Sequence, residues 1–473
     1  CLSQSCINVP TRKWMMSNKK TTVGLINRQV LAYTAGRDVE LDRSLVAVDC
    51  IGTAAHVTML AAMPVEPPVI STAERDRVIE ALNTIRAQAE KGSFKIRLSD
   101  QDVHLAVERV LTSELGDLGK KVHTGRSRND QVAVDLRLFA KEQLWHTLEE
   151  VAALAEVLVR FGKKHEGVAM VGRTHMQPGM PSSVGLWATA HAESLLDDAA
   201  GLFHLLEMND QSPLGSAASY GVPLPIDRGL MAKLLGFSRA THNVLYANNS
   251  RGKLEGLVLG GMSQIMLTLS RLAQDLMIFT MPEFDYFKLP PAFCTGSSIM
   301  PQKQNPDVCE LVRAKASRVK AAELAVYDLV KGAPSGYNRD LQEAKEPFME
   351  GLAVTRASLQ VMIPMLAETT VNKAALLAGF SPEVFATDRA LEWVAEGVPF
   401  RDAYDRVKEE LDDLASVDPS VAIGKKQHLG ASFGLDWGGY RDQIKGIRQQ
   451  TRKQKRAYER AIESLTGVAY QVQ

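Results

Sequence analysis

Three short segments of this chain concentrate side chains that can bind anions and move protons. They are 124–131 (Thr-Gly-Arg-Ser-Arg-Asn-Asp-Gln), 172–181 (Gly-Arg-Thr-His-Met-Gln-Pro-Gly-Met-Pro) and 296–307 (Gly-Ser-Ser-Ile-Met-Pro-Gln-Lys-Gln-Asn-Pro-Asp). Arg126, Arg128 and Lys303 can neutralise carboxylates. Asn129, Thr174, Gln177 and Asn305 can hydrogen-bond a polar substrate, and His175 can carry a proton near neutral pH. Gly296 ahead of two serines supplies the hinge that a mobile lid needs. Singly, each segment also reads as a connection. The first is a loop ending in an N-cap and the second a turn between helices. The third is a loop with Asn305 as N-cap and Pro306 at the first helical position. Together they place reactive side chains where a core-building sequence has no use for them.

The elements that must position these segments are helical. From about residue 130 Leu136, Phe139, Leu144, Leu148, Val151, Leu154 and Leu158 keep a 3.6-residue period with charges between them, which predicts one helix over 130–164. Similar patterns recur at 182–208, 250–280 and 307–331. Upstream, Ser99 with Asp102 three residues on predicts a helix start, followed by Val103, Val107, Val110 and Leu111 at helical spacing. The expected organisation is an N-terminal extension of unassigned role (1–20), a mixed helical domain (21–123), a central long-helix bundle (124–370) and a small helical domain (371–473). An elongated bundle has too much apolar surface for its volume, so part of it is expected to be buried against other subunits.

Composition agrees and excludes some classes. Aromatics are 6% of 473 residues, whereas strong helix formers abound. The 55 basic residues balance 55 acidic ones, so overall charge calls for neither nucleic acid nor an anionic membrane as partner. The basic stretch from Arg448 to Arg460 reads as a solvated helix face. Five dispersed cysteines without a C-x-x-C fit a reducing compartment, and a cytoplasmic location is expected. No apolar run approaches the ~20 residues of a membrane helix. No Walker loop, dinucleotide glycine fingerprint or H-E-x-x-H is present, so no cofactor and no metal are expected.

The three segments resemble the signature regions of the fumarase/aspartase superfamily, the third being close to Gly-Ser-Ser-x-Met-Pro-x-Lys-x-Asn-Pro. The form Thr-Gly-Arg-Ser-Arg-Asn-Asp-Gln, and the later Tyr337-Asn338-Arg339-Asp340-Leu341-Gln342-Glu343-Ala344-Lys345-Glu346, are similar to the argininosuccinate lyase/delta-crystallin branch. The similarity covers roughly residues 30–470. It implies a mainly α, three-domain fumarase/aspartase-like fold whose long central helical bundle forms the core of a homotetramer. Each active site would draw one signature region from each of three subunits. It also implies β-elimination of a succinyl-bearing substrate, argininosuccinate, to arginine and fumarate.

Residue by residue, the resemblance makes Ser297 the base and His175 the second proton-transfer group, with Glu310 orienting the histidine. Lys303 and Asn305 would stabilise the charged intermediate. Arg128, Asn129, Thr174, Tyr337, Gln342 and Lys345 would bind substrate. Asp38 stands where the family carries a serine, and a carboxylate there would repel a substrate carboxylate but hold an amino or guanidinium group. Thr53 and Gln304 replace a usual serine and lysine. Two other readings remain: a related C–N lyase releasing fumarate from another N-succinyl or aspartate-derived compound, which Asp38 would favour, and a non-enzymatic crystallin-like relative. Retention of Ser297, His175, Lys303 and Asn305 argues against the latter.

Overall fold

A computed structural model describes residues 16–21, 24–414 and 417–472; residues 1–15, within the extension expected over 1–20, lie outside the described residues. Ahead of the first polar segment run α1 (Val46–Ala62) and α2 (Val103–Leu115). The N-cap of α2 is Asp102, whose side chain accepts from Leu105 N at 2.9 Å, and not Ser99. A carboxylate immediately before the first helical residue reaches the free N–H groups that Ser99, three residues earlier, cannot.

The long period beginning near residue 130 becomes α3 (Arg128–Lys164), 37 residues and ~55 Å long. Ser127 caps it in a reciprocal box with Asp130. Leu138, Leu144, Leu148, Leu154 and Leu158 are fully buried, so α3 is the axis about which the others pack. The second polar segment, expected as a turn between helices, is a β-hairpin of β1 (Ala169–Thr174) and β2 (Gln177–Ser183). Then come α4 (Val184–Asn209), α5 (Lys253–Phe279), α6 (Asp307–Lys331) and α7 (Lys345–Glu368). Pro306, rather than Asn305, occupies the cap position of α6, because Asn305 is held in an antiparallel bridge to Thr295.

Helices α3, α4, α5, α6 and α7 pack against one another, and α8 (Trp437–Thr466) lies along α3. The basic run on α8 does not simply face water. Arg448 pairs with Glu156 of α3 at 2.8 Å and Lys455 lies 3.7 Å from Glu149. A separate small apolar cluster, Ala390, Trp393, Ala403 and Val407, sits between two short helices near residue 400.

Two stretches, 38–62 and α5, are long and apolar enough by composition to cross a membrane. The first is 78% buried, which explains its apolar character by core packing, but α5 is only 56% buried. Leu267 on α5 and Leu311 and Leu324 on α6 are each 56% exposed. Large aliphatics left outward on two neighbouring bundle helices make an apolar surface that water does not favour.

Candidate active site

The polar segments fall at two ends of the bundle. At the start of α3, Asp130 is fully buried, and its Oδ2 accepts from Gly215 N (2.9 Å) and Ala217 N (3.0 Å). Burial pushes its carboxyl up to about 6 in spite of these donors. It thereby fixes the first turn, on which Arg128 and Asn129 sit. Arg128 Nη2 lies 2.6 Å from Asp102 Oδ2 at the start of α2. Arg126 is turned into the fold: it is half-buried, and its Nη1 donates to Thr53 Oγ1 at 2.9 Å. That contact also accounts for an alcohol at position 53.

The same end holds a buried charge group. Lys345 Nζ donates to Asp42 Oδ1 at 2.6 Å and lies 3.1 Å from Asp38 Oδ1. Asp42 Oδ2 accepts from Val103 N at 3.0 Å, tying the group to α2. Burial would lower the Lys345 ammonium, but Asp42 and Asp38 outweigh it and hold it above its ordinary value. Burial raises the Asp38 carboxyl against the pull of Lys345. Nearby, the buried Arg251 guanidinium lies 5.7 Å from the centre of the Tyr337 ring, and its Nε has no hydrogen-bond partner. Gln342 Nε2 donates to Thr34 O at 2.8 Å.

The other end lies beyond the C-terminus of α3. Phe161 there meets Phe287 edge-on, with centroids 5.8 Å apart. Phe287 lines a cleft of about 850 Å³ with Asp285, Lys303, Asn305 and Glu310. The loop 295–305 is clamped at its base, Thr295 N donating to Asn305 O (3.0 Å) and Asn305 N to Thr295 O (2.8 Å). Within it Ser297 Oγ accepts from Ile299 N (3.3 Å) and Met300 N (3.1 Å). Two backbone donors on one hydroxyl oxygen favour its ionised form. No side chain caps α6; Cys309 N and Glu310 N donate to Pro306 O, which leaves the N–H groups of Asp307 and Val308 open to an anion.

The hairpin projects His175 and Thr174, both exposed, at this end of α3. Among the described residues, the side chains of Asn129, Thr174, His175, Lys303 and Glu310 make no hydrogen bond or ion pair. His175 and Glu310 are therefore not paired within the chain. The chain brings Asp38, Lys345, Tyr337 and Arg128 to one end and His175, Ser297, Lys303, Asn305 and Glu310 to the other, with α3 between.

A sequence profile described as "Lyase" matches residues 36–321. An argininosuccinate lyase of Sorangium cellulosum is 42% identical over 412 residues, covering 87% of this chain and 95% of that protein. The chain belongs to the argininosuccinate lyase family. Its fold is that of the wider group. A solved EDDS lyase in complex with formate superposes with a TM-score of 0.77 at 21% identity, covering 93% of this chain and 94% of that one. A class II fumarase from Schistosoma mansoni gives a TM-score of 0.68 at 17% identity, covering 86% and 98%.

Of the side chains that shape this site, Asp42 and Arg251 are absent from the sequence expectations, and Asp102 figures there only as a partner at a helix start. Nothing local marks Arg251, whose importance comes from the ring it faces.

Proposed function

We propose that the chain is a cytoplasmic enzyme of arginine biosynthesis, catalysing the reversible β-elimination of argininosuccinate to arginine and fumarate. It acts as a homotetramer with sites assembled from three subunits. Ser297 Oγ, as alkoxide, takes the proton from the carbon β to the departing nitrogen. The C–H electron pair moves toward the adjacent carboxylate, giving a dianionic aci-carboxylate. It then forms the C=C bond of fumarate as the C–N bond breaks, and the leaving nitrogen receives a proton by way of His175, which Glu310 orients. Stabilising that dianion is the largest demand on the site, and Lys303, Asn305 and the open N–H groups of α6 meet it. Arg128, Asn129, Thr174, Tyr337, Gln342, Lys345 and Asp38 bind the substrate.

The observation that carries this reading is Ser297: its oxygen accepts two backbone N–H groups inside the loop that also bears Lys303 and Asn305. Support for shared sites comes from the ~55 Å length of α3 between the two groups of residues, and from the outward leucines of α5 and α6. The test is fumarate absorbance and arginine release from argininosuccinate with purified protein. Ser297→Ala is expected to lose at least ~100-fold in turnover while remaining folded, the scale of a removed general base. Normal turnover in that variant would take Ser297 out of the mechanism.

A second reading keeps the chemistry and changes the amine. Asp38 favours it, and product analysis with other N-succinyl amines separates the two.

A further inference from the structure

The hairpin tip that carries His175 is built against local preference. A two-residue link with positive φ at both residues is a type I′ turn, which favours Asn-Gly or Gly-Gly. Here the link is His175 (φ 53°) and Met176 (φ 64°), closed by the pairing of Thr174 with Gln177. Met176 is 61% exposed, so core packing does not explain its presence. Bulkier residues persist in this conformation only when their surroundings over-determine the backbone.

Arg173 supplies that constraint. Its Nη1 donates to Met176 O at 3.2 Å, bracing the turn from the strand side. Its guanidinium carbon stands 5.1 Å from the centre of the Phe284 ring. The Nε is buried without a hydrogen-bond partner, and no carboxylate pairs with the group among the described residues. The head is thus committed to the turn and the ring. The strand is also bulged here: Gly172 pairs with Met180 but Arg173 with Pro178, leaving Gly179 as the extra residue. A Cβ at Gly179 would stand 3.2 Å from Gly172 O. The bulge bends β2 and redirects the tip.

We propose that Arg173 is a positioning residue for the proton-transfer step. By holding Met176 O and packing on Phe284 it keeps the left-handed pair in place, and so fixes the direction in which the His175 imidazole leaves the hairpin. Phe284 belongs to the segment that leads to Asp285 and Phe287 of the cleft, so one guanidinium links the hairpin to the wall beside Lys303 and Asn305. The inference rests on the reading of His175 given above and touches no substrate atom itself.

The test uses the full-length enzyme and four variants: Arg173→Met, Met176→Gly, the two combined, and His175→Asn. Arg173→Met is expected to lower kcat at least ~10-fold with KM changed by less than ~2-fold, the pattern of a misplaced proton-transfer group rather than lost binding. Adding Met176→Gly is expected to bring kcat back to within ~3-fold of the wild type, because glycine adopts the turn without a brace. A structural defect elsewhere would not be relieved by a glycine at the tip. A kcat unchanged in Arg173→Met, or a double variant no better than that single one, overturns the proposal. Should Arg173→Met not fold, Arg173→Gln is judged by the same criteria. Wild-type turnover in His175→Asn would remove the reading of His175 itself. An inactive His175→Asn beside a normal Arg173→Met removes only the role of Arg173.

Discussion

Asp38 shares the buried ammonium of Lys345 with Asp42, at 3.1 Å against 2.6 Å. With Arg251 also acting on Asp38 and Lys345, two carboxylates face two cations at the end of the bundle where Tyr337 and Arg128 also sit. Asp38, the more loosely held of the two carboxylates, is the one placed to take a cationic group of the substrate's amine half. Asp38→Asn is expected to raise KM for argininosuccinate ~10-fold or more, the worth of one charge-assisted hydrogen bond, with kcat little changed. Steady-state kinetics decide: an unchanged KM would mean that the Asp38 charge is spent entirely on Lys345.

The proposal that each site draws one signature region from each of three subunits, with His175 and Glu310 unpaired within the chain, makes an assembly prediction. Ser297→Ala and His175→Asn are each expected to be inactive alone. Co-assembled after mixed refolding, they should regain about a quarter of wild-type activity, the statistical share when the two residues come from different subunits. A mixture as inactive as its components would place both residues of each site in one subunit.

Leu267 and Leu324 point outward from the bundle and are each 56% exposed. In the proposed homotetramer, Leu324→Asp or Leu267→Asp would place a charge in a buried contact between subunits while leaving the monomer core alone. Sedimentation should show dissociation, circular dichroism retained helix, and the activity assay a loss of the order of 100-fold or more, since an unpaired buried charge is among the costliest substitutions. An active monomer would contradict the shared-site proposal.

Stability should depend on pH through Glu142. Its Oε1 accepts from Tyr458 Oη at 2.9 Å and Tyr470 Oη at 2.6 Å, pinning the C-terminal segment to α3. Burial pushes the carboxyl up to about 7 against these donors. In the unfolded chain a glutamate titrates near ~4.3. Between these values the folded protein holds a proton that the unfolded one has released. This contribution is complete below the unfolded value, falls as pH rises, and is gone above about 7. Glu142→Gln keeps the accepting oxygen but cannot titrate. Its Tm should therefore fall less than that of the wild type between about pH 5 and about pH 8. Asp130, raised by burial in the same sense, is present in both proteins and cancels in the comparison. Parallel curves would show that Glu142 does not titrate in this window.

Much of this protein was readable without coordinates. The periods that predicted helices over 130–164 and 307–331 became α3 and α6, the second with the predicted bounds. A 3.6-residue apolar repeat dictates both the helix and the face it buries, and needs only neighbours in sequence. The three polar segments were legible because clusters of Gly, Ser, His and Asn interrupt strong helix formers.

What stayed hidden depends on partners far apart in the chain. The turn expected around His175 is a hairpin whose tip carries neither glycine nor asparagine, so no local signal marked it; Arg173 and Phe284, 111 positions apart, brace it. Arg126 and Arg128 look equivalent in sequence, yet one donates to Thr53 and the other meets Asp102. Asp38 and Lys345 are joined across 307 positions. Side-chain type and local spacing are written in the chain itself, whereas the burial and charge pairing of a given group arise only when distant helices pack. That is why the chemistry could be read from sequence and its arrangement at two ends of a ~55 Å helix could not.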